Sequence, residues 1–451
     1  MPREHLLKIG VSGVRGVVGD FLTPGLALAF AHAFGTYVGR GRVVVGRDTR
    51  TSGPMLQHAV ASGLLAAGCE VIDVGVMPTP TIQLYIAHTG AKGGICLTAS
   101  HNPPEYNALK LFNKDGFFFN HYERSELIDL YHQSSFDEAQ NHEIRQVRRE
   151  GATAQKIHSD RALSFVDVDL IRSKNFLVAL DSVNGAGSVM SPGFLTNQLG
   201  CKLHAIAIDP TKVFSRIAEP RPDTLGDLSE LVKRTGAAIG FAQDPDGDRL
   251  AVVDERGEVL DNDDVLALVV KHVLPRFPGD VVVNLTTSSV MEDLAAAQGR
   301  KVFRTAVGEA NVVDMMLAVK CAIGGEGSNG GVIFPSVHYC RDSYTGMAFL
   351  LELLAQTGHT VSSLVAALPR YYRKLGKVTF EHGRLGNLMQ ALEEHFPEAA
   401  TDRSDGLKLS WPDGWIHVRA SNTEPLLRLA AEARSAQRME DLYDQVTVLL
   451  S

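Results

Sequence analysis

The chain has 451 residues, of which 45% are hydrophobic and 21% charged, and it carries a formal net charge of −8. This composition is typical of a packed protein of about three domains, and its acidic balance argues against non-specific binding to nucleic acid or to an anionic membrane. The start of the chain, MPREHLLKIG, lacks the apolar core of a signal peptide, and no stretch reaches the roughly 18 apolar residues of a membrane span. We therefore expect a cytoplasmic protein.

The five cysteines form no CxxC pair, and most lie in or beside apolar, strand-like runs. They are Cys69, Cys96, Cys201, Cys321 and Cys340. An odd number without metal-binding spacing predicts buried, reduced thiols, as in a cytoplasmic protein.

One pattern occurs three times along the first 330 residues. The first copy reads RVVVGRDTR, a helical segment, CEVIDVG and then GGICLTASH; the second has FLVALDSVNG, CKLHAIAID and AAIGFAQDPDGD; the third has DVVVNLTTSS, KVFRTAVG and CAIGGEGSNGG. Apolar strands that alternate with helices indicate parallel or mixed sheets covered on both faces. Ligands bind at the carboxyl ends of such strands, so the polar loop after each third strand is a candidate site, and the three loops could face a common cleft.

The later segments predict further elements. The polar stretch 134–160 is interpreted as the first linker, and SSVMED predicts a capping box formed by Ser289 and Glu292. From about Tyr371 the pattern reads strand, helix, three strands and helix, with a tight turn at Asp413-Gly414, which is typical of an α+β domain.

The predicted fold class is α/β. Three related mixed-sheet α/β domains span residues 1–150, 151–254 and 255–369, and an α+β domain spans 370–451.

The loop DPDGDR has the most specific chemistry. Asp244, Asp246 and Asp248 place three carboxylates at alternate positions, and hard oxygen ligands suit a dication such as Mg²⁺. An EF-hand is excluded because Arg249 stands where its sharp turn requires glycine, and because the flanking segments are strands. An Asp-rich turn with solvated carboxylates is the remaining alternative.

Ser100, in TASHNPPEYNALK, follows the third strand of the first copy. A catalytic Ser100–His101 dyad is disfavoured because adjacent side chains on an extended segment point to opposite faces, and the chain has no G-x-S-x-G elbow. If Ser100 carried a phosphate, it would instead supply the anionic oxygen that a Mg²⁺ site expects. A turn serine without chemistry is the alternative.

Two later loops offer polar groups for a sugar phosphate. Glu326 and Ser328 in GGEGSNGG suit sugar hydroxyls. RASNTEPLLR suits a phosphate, because arginine forks and turn N–H groups bind anions; its candidates are Arg419, Ser421, Asn422 and Thr423. Several arginines also lie in or near these loops, namely Arg15, Arg47, Arg50, Arg249 and Arg428. Such a cluster of positive charge favours phosphorylated substrates. Structural ion pairs are the alternative role for some of these arginines.

Taken together and in order, VSGVRG, GRDTRTSG, TASHNPPEYNALK, DPDGDR, GEGSNGG and RASNTEPLLR resemble the α-D-phosphohexomutase superfamily over essentially the whole chain. The resemblance implies four domains around a central cleft. It implies a phosphoserine at Ser100, and Mg²⁺ held by that phosphoserine and the three aspartates. The phosphoryl group would pass to a hexose or hexosamine phosphate and form a 1,6-bisphosphate intermediate.

The resemblance also assigns residues to roles. Glu326 and Ser328 would bind sugar hydroxyls, and the RASNTEPLLR set, with Arg428, would bind the phosphate that is not transferred. The residues near the transferred group would be Arg15, His101, Lys110 and Arg249, with Lys110 a candidate proton shuttle.

The sugar is less well defined than the chemistry. GEGSNGG lacks the histidine of the GEMSGH-like loop of phosphomannomutase/phosphoglucomutase enzymes, and Glu309 follows Gly308 where that branch often has histidine. An acidic residue there is more similar to archaeal-type phosphoglucosamine mutases, so we expect glucosamine phosphate as the substrate. The alternative substrate is mannose or glucose phosphate. The remote alternative functions are a phosphatase and a non-catalytic sugar-phosphate sensor.

Overall fold

The computed structural model describes residues 8–10 (backbone alone), 13–327, 330–379, 385–420 and 426–450. These residues form two compact units. Unit 1 contains the described residues up to Asn262 together with Gly331–Leu364, and unit 2 contains Asp263–Gly330 and the described residues from Val365 onward. None of the described helices has the length and apolar character that crossing a bilayer requires.

The first part of unit 1 is built on seven strands and five helices. The strands are β1 (Lys8–Gly10), β2 (Gly13–Val17), β3 (Arg42–Arg47), β4 (Glu70–Val76), β5 (Gly93–Leu97), β6 (Tyr106–Asn113) and β7 (Arg148–Arg149), in the sheet order β1-β2-β6-β5-β3-β4-β7. The helices are α1 (Pro24–Tyr37), α2 (Gly53–Ala66), α3 (Thr79–Thr89), α4 (His121–Gln133) and α5 (Gly151–Leu163). Separate apolar clusters cover the sheet, one with α1 and α2 and another with α3 and α5.

The interpretation of 134–160 as a linker was wrong for its second half. Residues 134–147 form loop and turns, but β7 pairs in parallel with β4, and Ala154 of α5 is buried in the same cluster as Ile72. The reason is that a short strand and a helix with a narrow apolar face need few hydrophobic residues, so a polar composition conceals them.

The rest of unit 1 contains a second sheet and a separate C-terminal segment. Its strands are β8 (Leu177–Asp181), β9 (Lys202–Ile206), β10 (Ile239–Gln243) and β11 (Leu250–Val253). Its helices are α6 (Val168–Lys174), α7 (Ser191–Gly193, continued by a π turn at Phe194–Gln198) and α8 (Gly226–Thr235), with 3₁₀ turns at Ala186–Val189 and Pro222–Thr224. After unit 2 begins, the chain returns to unit 1 with β15 (Gly331–Ile333) and α12 (Ser343–Thr357), and α13 (Val361–Ala366) follows.

Unit 2 contains a parallel sheet and an antiparallel sheet. The first part has α9 (Asn262–Val273), β12 (Asp280–Asn284), α10 (Val290–Ala296), β13 (Val302–Thr305), α11 (Glu309–Ala318) and β14 (Cys321–Glu326). The second part has β16 (Tyr372–Thr379), α14 (Leu385–His395), β17 (Ala400–Asp402), β18 (Leu407–Trp411), β19 (Gly414–Ala420), β20 (Leu426–Ala433) and α15 (Ala436–Leu450).

The three copies of the sequence pattern have one topology, which confirms the predicted repeat. In each copy the first strand lies between the third and the second, all parallel, in the orders β5-β3-β4, β10-β8-β9 and β14-β12-β13. In the first two copies an antiparallel strand, β6 or β11, pairs with the third. The α/β class with mixed sheets is therefore confirmed.

The C-terminal sheet has the order β16-β20-β19-β18-β17, and its neighbouring strands are antiparallel. Apolar residues of α14 and α15 pack into its core. The predicted hairpin joins β18 to β19, but its turn residues are Pro412 and Asp413, because Gly414 pairs with Trp411 as the first residue of β19. The sequence did not predict β17, because its three residues have no buried alternation.

The predicted capping box at the start of α10 is absent. Ser289 is the N-cap residue but has helical backbone angles, and its side chain makes no capping bond. Ser289 Oγ instead accepts a hydrogen bond from Trp415 Nε1 at 3.0 Å, and Glu292 pairs with Arg304 at 2.8 Å. Both side chains therefore contact residues distant in sequence instead of forming the local capping bonds.

The five cysteines are free, as predicted. Four of them are buried, and Cys321 is half-buried. Burial raises the pKa of the Cys69 thiol to about 11 and that of Cys201 to about 12, so these two thiols are unreactive at neutral pH.

Candidate active site

Ser100 lies in the loop between β5 and β6, where it is buried and has a left-handed backbone with φ +49°. Its Oγ lies 3.4 Å from His101 Nδ1. The expectation that the two side chains point to opposite faces was therefore wrong, because it assumed an extended backbone at Ser100. At 3.4 Å this contact is too long for a strong O–H···N hydrogen bond, so it does not make Ser100 and His101 a catalytic dyad.

The hydroxyl of Ser100 is directed at the aspartate loop. Ser100 Oγ donates a hydrogen bond to Asp244 Oδ2 at 2.9 Å, although the two residues are 144 positions apart. Asp244 is fully buried at the end of β10. The fold therefore brings together the two loops that the sequence singled out for phosphoryl and metal chemistry.

The aspartate loop, residues 244–248, is held by backbone hydrogen bonds on several sides. Gly247 closes the turn with φ +67°, and its N–H donates to Asp244 O at 3.0 Å. Thr79 N donates to Asp246 O at 2.9 Å, and Ala186 N donates to Pro245 O at 2.7 Å. These contacts fix the backbone that carries the three carboxylates.

The three carboxylates form a compact group. Asp244, Asp246 and Asp248 are buried and each offers an oxygen within 4.8 Å of the others. The Oδ1 atoms of Asp246 and Asp248 are buried without a hydrogen-bond partner in the described part of the chain. Buried polar atoms are normally paired, and oxygen-only ligands of this kind fit a hard dication such as Mg²⁺.

The opposite oxygens of the same carboxylates contact fixed cations. Lys110 Nζ donates to Asp246 Oδ2 at 2.6 Å, and Arg341 Nη2 donates to Asp248 Oδ2 at 2.6 Å. Burial alone would lower the pKa of the Lys110 ammonium, but the charges of Asp246 and Asp248 raise it above its ordinary value. Lys110 is therefore held as a positive charge.

Burial likewise would raise the pKa of Asp246, but the Lys110 ammonium and hydrogen bonds from Asp244, Lys110 and Thr79 lower it. The pKa of Asp244 is raised well above its ordinary value by burial and by the neighbouring charges of Asp248 and Asp246. Three like charges at this separation are stable only with cations beside them.

The remaining predicted residues surround the serine. Arg15 Nη1 donates to Asn102 Oδ1 at 2.8 Å. Arg249 donates from its backbone N to Asp244 Oδ1 at 3.2 Å and from Nη1 to Glu219 Oε1 at 2.7 Å. Burial, followed by the charges of Arg249, Arg15 and Arg341, lowers the pKa of His101 to about 2. His101 is thus a neutral imidazole at working pH.

Sequence reasoning missed Arg341 and the role of Thr79. Arg341 precedes Asp342, whose side chain caps α12, and nothing in CRDS distinguishes it from a surface arginine. Thr79 Oγ1 donates to Asp246 Oδ2 at 2.7 Å. Neither residue belongs to a local motif, so its role depends on tertiary contacts.

In unit 2, Glu326 is buried at the end of β14, and its Oε1 accepts hydrogen bonds from Asn284 Nδ2 at 2.9 Å and Gly308 N at 2.8 Å. Glu309 is the first residue of α11 and is also buried. Ser328, the other predicted sugar ligand, lies outside the described residues.

Arg419 and Arg428 lie directly opposite each other on β19 and β20, and Lys377 of β16 is the next partner of Arg428. Burial lowers the pKa of Arg419, with Asp405 opposing and Arg428 adding to the shift. Like charges directly opposite on neighbouring strands are destabilising, so this cation row, defined here as Lys377, Arg428 and Arg419, favours an anion. The adjacent Ser421, Asn422 and Thr423 lie outside the described residues.

Family models match the chain in four consecutive parts. Residues 6–138 match "phosphoglucomutase/phosphomannomutase, alpha/beta/alpha domain I", residues 156–257 domain II, residues 261–372 domain III, and residues 377–448 the C-terminal domain of the same family.

Similar proteins extend over the same length. A phosphoglucomutase/phosphomannomutase of Thermococcus kodakarensis is 40% identical over 96% of this chain and 96% of its own. A probable phosphoglucosamine mutase of Methanopyrus kandleri is 38% identical over 97% of this chain and 96% of its own. The crystal structure of a phosphoglucomutase/phosphomannomutase family protein from Burkholderia thailandensis has a TM-score of 0.85 at 27% identity, covering 98% of this chain and 96% of that one. The chain belongs to the phosphoglucomutase/phosphomannomutase family and is a phosphohexomutase, an isomerase.

Proposed function

We propose that the protein interconverts a hexosamine 6-phosphate and its 1-phosphate, with Ser100 as the phosphoryl carrier and glucosamine phosphate as the preferred substrate. The observation that carries the proposal is the 2.9 Å hydrogen bond from Ser100 Oγ to Asp244 Oδ2 inside a buried group of three aspartates. A serine with only a structural role has no need to face such a group, whereas a phosphoserine and a dication stabilise each other.

Mg²⁺ is the proposed cofactor. Asp244, Asp246, Asp248 and an oxygen of phosphorylated Ser100 would hold it, and the free Oδ1 atoms of Asp246 and Asp248 support this assignment. When bound, the ion supplies positive charge that stabilises the phosphoryl group during transfer.

The residues of the chain then have defined tasks. The bond between Ser100 Oγ and phosphorus breaks as a hydroxyl of the bound sugar phosphate forms a bond to the same phosphorus, giving a 1,6-bisphosphate. The sugar hydroxyl gives up its proton in this step, and the departing Ser100 Oγ takes up one from Asp244 Oδ2, its hydrogen-bond partner. Lys110 and Arg249 offset the charge on the transferred group, since phosphoryl transfer depends on positioning and charge more than on covalent help. We assign Lys110 this electrostatic role rather than that of a proton shuttle, because its ammonium is stabilised by Asp246.

The bisphosphate turns over before the second transfer and presents its other phosphate to Ser100. On that return step the Ser100 hydroxyl loses its proton to Asp244 Oδ2, the acceptor that it already faces. The sugar oxygen that is released from phosphorus takes up a proton and becomes a hydroxyl again. His101 stays neutral and contacts the transferred group, and Arg15 adds a second guanidinium. These two transfers leave the enzyme phosphorylated at Ser100 after each cycle, and the bisphosphate acts as its activator.

A second set of residues would supply the substrate contacts. We propose that Glu326 and Ser328 bind sugar hydroxyls and that Arg419 and Arg428 bind the phosphate that is not transferred, together with Ser421, Asn422 and Thr423. The mutual repulsion of Arg419 and Arg428, cross-strand partners in the sheet, supports an anion at this position.

Glu309 is the basis for choosing an amino sugar. Its carboxylate follows Gly308, whose N–H donates to Glu326, so the acidic group stands next to a proposed sugar ligand. A protonated amine would be stabilised by that charge. The relative from Methanopyrus kandleri carries a phosphoglucosamine mutase name, whereas the one from Thermococcus kodakarensis favours the alternative of mannose or glucose phosphate.

The mechanism is tested by Ser100→Ala, which should abolish turnover without affecting folding. Intact mass should show one phosphate on the wild-type protein and none on the variant. Ser134→Ala is a matched control, since Ser134 has a similar backbone with φ +51° but lies exposed at the end of α4. Near-normal turnover by the Ser100→Ala variant would refute the phosphoserine mechanism.

The sugar is tested by kcat/KM for glucosamine, mannose and glucose 6-phosphates, with inorganic phosphate release measured in parallel. We expect the highest value for glucosamine 6-phosphate and isomerised product in large excess over free phosphate. Glu309→Gln should reduce the preference for glucosamine more than it reduces turnover of glucose phosphate. A wild-type preference for the neutral sugars would overturn the assignment of an amino sugar but not that of the mutase.

A further inference from the structure

Arg50 lies behind the loop that carries Ser100, and its guanidinium is completely buried. Its nitrogens donate to main-chain carbonyls of that loop at distances between 2.6 and 3.0 Å. The acceptors are Ser100 O and Asn102 O for Nη2, and Pro103 O and Tyr106 O for Nη1. One side chain thus binds four carbonyls within seven residues.

The position of these carbonyls matters because the loop has an unfavourable backbone at its functional residue. Ser100 has φ +49°, a region that residues with a side chain adopt rarely. Two bonds hold it there: Arg50 Nη2 to Ser100 O at 2.6 Å, and Ser100 N to Thr98 Oγ1 at 2.9 Å. The same backbone angle directs Ser100 Oγ toward Asp244.

Asp48 completes the arrangement on the other side of the guanidinium. Asp48 Oδ2 accepts hydrogen bonds from Arg50 Nε at 3.0 Å and from Thr98 Oγ1 at 2.7 Å. Asp48 Oδ1 accepts one from Arg50 N at 2.9 Å. The carboxylate therefore fixes both groups that hold Ser100, and the ring of Phe214 lies 5.0 Å from the guanidinium carbon.

We propose that Arg50 is a positioning residue for phosphoryl transfer: its guanidinium holds the Ser100 loop in the one conformation that aims Ser100 Oγ at Asp244. The catalytic part of this proposal rests on the proposed function. The structural part, that Arg50 holds the Ser100 loop in place, depends only on the contacts of Arg50 with that loop. A buried Asp48–Arg50 ion pair that only stabilised the fold would need no contact with the loop carbonyls, yet the Arg50 side chain donates four hydrogen bonds to them.

Lysine cannot replace this residue. A guanidinium presents five N–H donors in a rigid plane, whereas an ammonium presents three at a point. Arg50 uses Nε, Nη1 and Nη2 toward acceptors on two sides, Asp48 and the loop. Arg50→Lys keeps the charge beside Asp48 and is therefore expected to fold, but it loses the simultaneous contacts with Ser100 and Tyr106.

The experiment compares three variants with the wild-type protein. Arg50→Lys keeps the charge, and the double variant Asp48→Asn/Arg50→Met removes both charges, so that no unpaired ion remains buried. The control is Arg47→Met. Arg47 is a neighbouring arginine whose Nη1 donates to Asp48 O and whose Nε donates to Gln57 Oε1; in the described part of the chain it makes no hydrogen bond to the Ser100 loop.

The first readout is hydrogen–deuterium exchange of peptides covering 98–106, measured without substrate. We expect faster exchange there in both Arg50 variants and wild-type exchange in Arg47→Met. The readout is independent of the proposed activity, because exchange reports local opening whatever the loop does. Wild-type protection of the loop in both Arg50 variants would overturn the proposal, even if the enzyme proved to be the mutase proposed above.

The second readout separates kcat from KM. We expect kcat to fall about 100-fold in both Arg50 variants, as for a displaced reacting group. KM for the sugar phosphate should stay within about threefold of wild type, because the hydrogen bonds of the Arg50 side chain go to Asp48 and to the Ser100 loop and not to a proposed sugar or phosphate ligand. Arg47→Met should keep wild-type kcat. Arg50 variants with wild-type kcat would likewise overturn the proposal, and Ser100→Ala tests the phosphoserine mechanism separately.

Discussion

Arg341 Nη2 donates a hydrogen bond to Asp248 Oδ2 at 2.6 Å, joining the residue that precedes α12 to an aspartate loop 93 positions earlier in the chain. Both side chains are nearly inaccessible to solvent. Ser343, two residues later, donates to Gly247 O at 2.7 Å. The segment before α12 therefore helps to hold the aspartate loop in place, although it follows the proposed sugar-binding loop in sequence.

Replacing Arg341 by methionine should destabilise the metal-free protein by about 3–5 kcal/mol, because it leaves a buried carboxylate without its partner. Mg²⁺ adds positive charge beside the same carboxylate, so it should raise the unfolding midpoint more in Arg341→Met than in wild type. Thermal unfolding with and without Mg²⁺ measures both effects.

The control for that experiment is Arg172→Met. Arg172 pairs with Asp169 at 3.9 Å with both side chains exposed, and such pairs contribute little. If Mg²⁺ raised the midpoint equally in the Arg341→Met and wild-type proteins, Arg341 would not be a counter-charge of the aspartate loop.

Local patterns predicted much of the fold and one half of the site. The three parallel-sheet copies follow from apolar strands that alternate with helices, and Asp244, Asp246 and Asp248 form one group because a short Gly-containing turn carries them all. These features depend on residues close in sequence. That is why the pattern alone predicted them.

Features that depend on distant partners were missed. Arg341, and the contacts of Arg50 with the Ser100 loop, join segments between 50 and 93 positions apart. The left-handed backbone of Ser100 also overturned the strand argument about His101, since hydrogen bonds from Arg50 and to Thr98 fix that angle. No local rule shows which of several arginines is buried behind a loop.

Asp246→Asn should weaken Mg²⁺ binding by at least about tenfold, because an amide loses the charge that a hard dication prefers. The Oδ1 of Asp246, which has no hydrogen-bond partner among the described residues, is the atom expected to face the ion. Isothermal titration of the variant and wild type with Mg²⁺ measures the difference, and chelation of wild-type enzyme should stop turnover. Asp209→Asn is the control, since Asp209 is an exposed carboxylate of the same unit. Equal affinity in Asp246→Asn and wild type would exclude this carboxylate as a ligand.

His101 should make the protein less stable in acid. Burial and three nearby arginines lower its pKa to about 2 in the folded state, against about 6.5 in an unfolded chain. Between these values the unfolded state binds a proton that the folded state does not, so stability falls as pH drops below about 6.5. His101→Asn removes that proton and should lose less thermal stability between pH 7.5 and pH 5 than wild type.

His58→Asn is the matched control for acid sensitivity, because His58 is exposed on α2. Its midpoint should fall with pH as in wild type. An identical fall for His101→Asn would show that His101 does not stay neutral in the folded protein.

The cation row in the C-terminal sheet predicts that loss of one of its charges preserves or improves thermal stability but weakens substrate binding. Arg428 lies between Arg419 and Lys377 as a cross-strand partner of both. Removing its charge in Arg428→Met relieves repulsion, worth about 0.2–1 kcal/mol, so thermal stability should stay equal or rise. If the row binds the phosphate as proposed, the same change removes a charged hydrogen bond worth about 1.5–3 kcal/mol, so KM for the sugar phosphate should rise about 10- to 100-fold, with a smaller effect on kcat.

A purely structural role for Arg428 predicts a different result in both measurements. Loss of an ordinary surface contact would lower the unfolding midpoint and leave KM unchanged. That outcome would refute the proposal that the cation row binds the phosphate. Arg438→Met provides the comparison, because Arg438 on α15 pairs with Asp413 at 3.1 Å and is not part of the row. It should leave KM unchanged. A rise in KM that occurs in Arg428→Met but not in Arg438→Met therefore assigns the effect to the row, and not to the loss of positive charge from the domain.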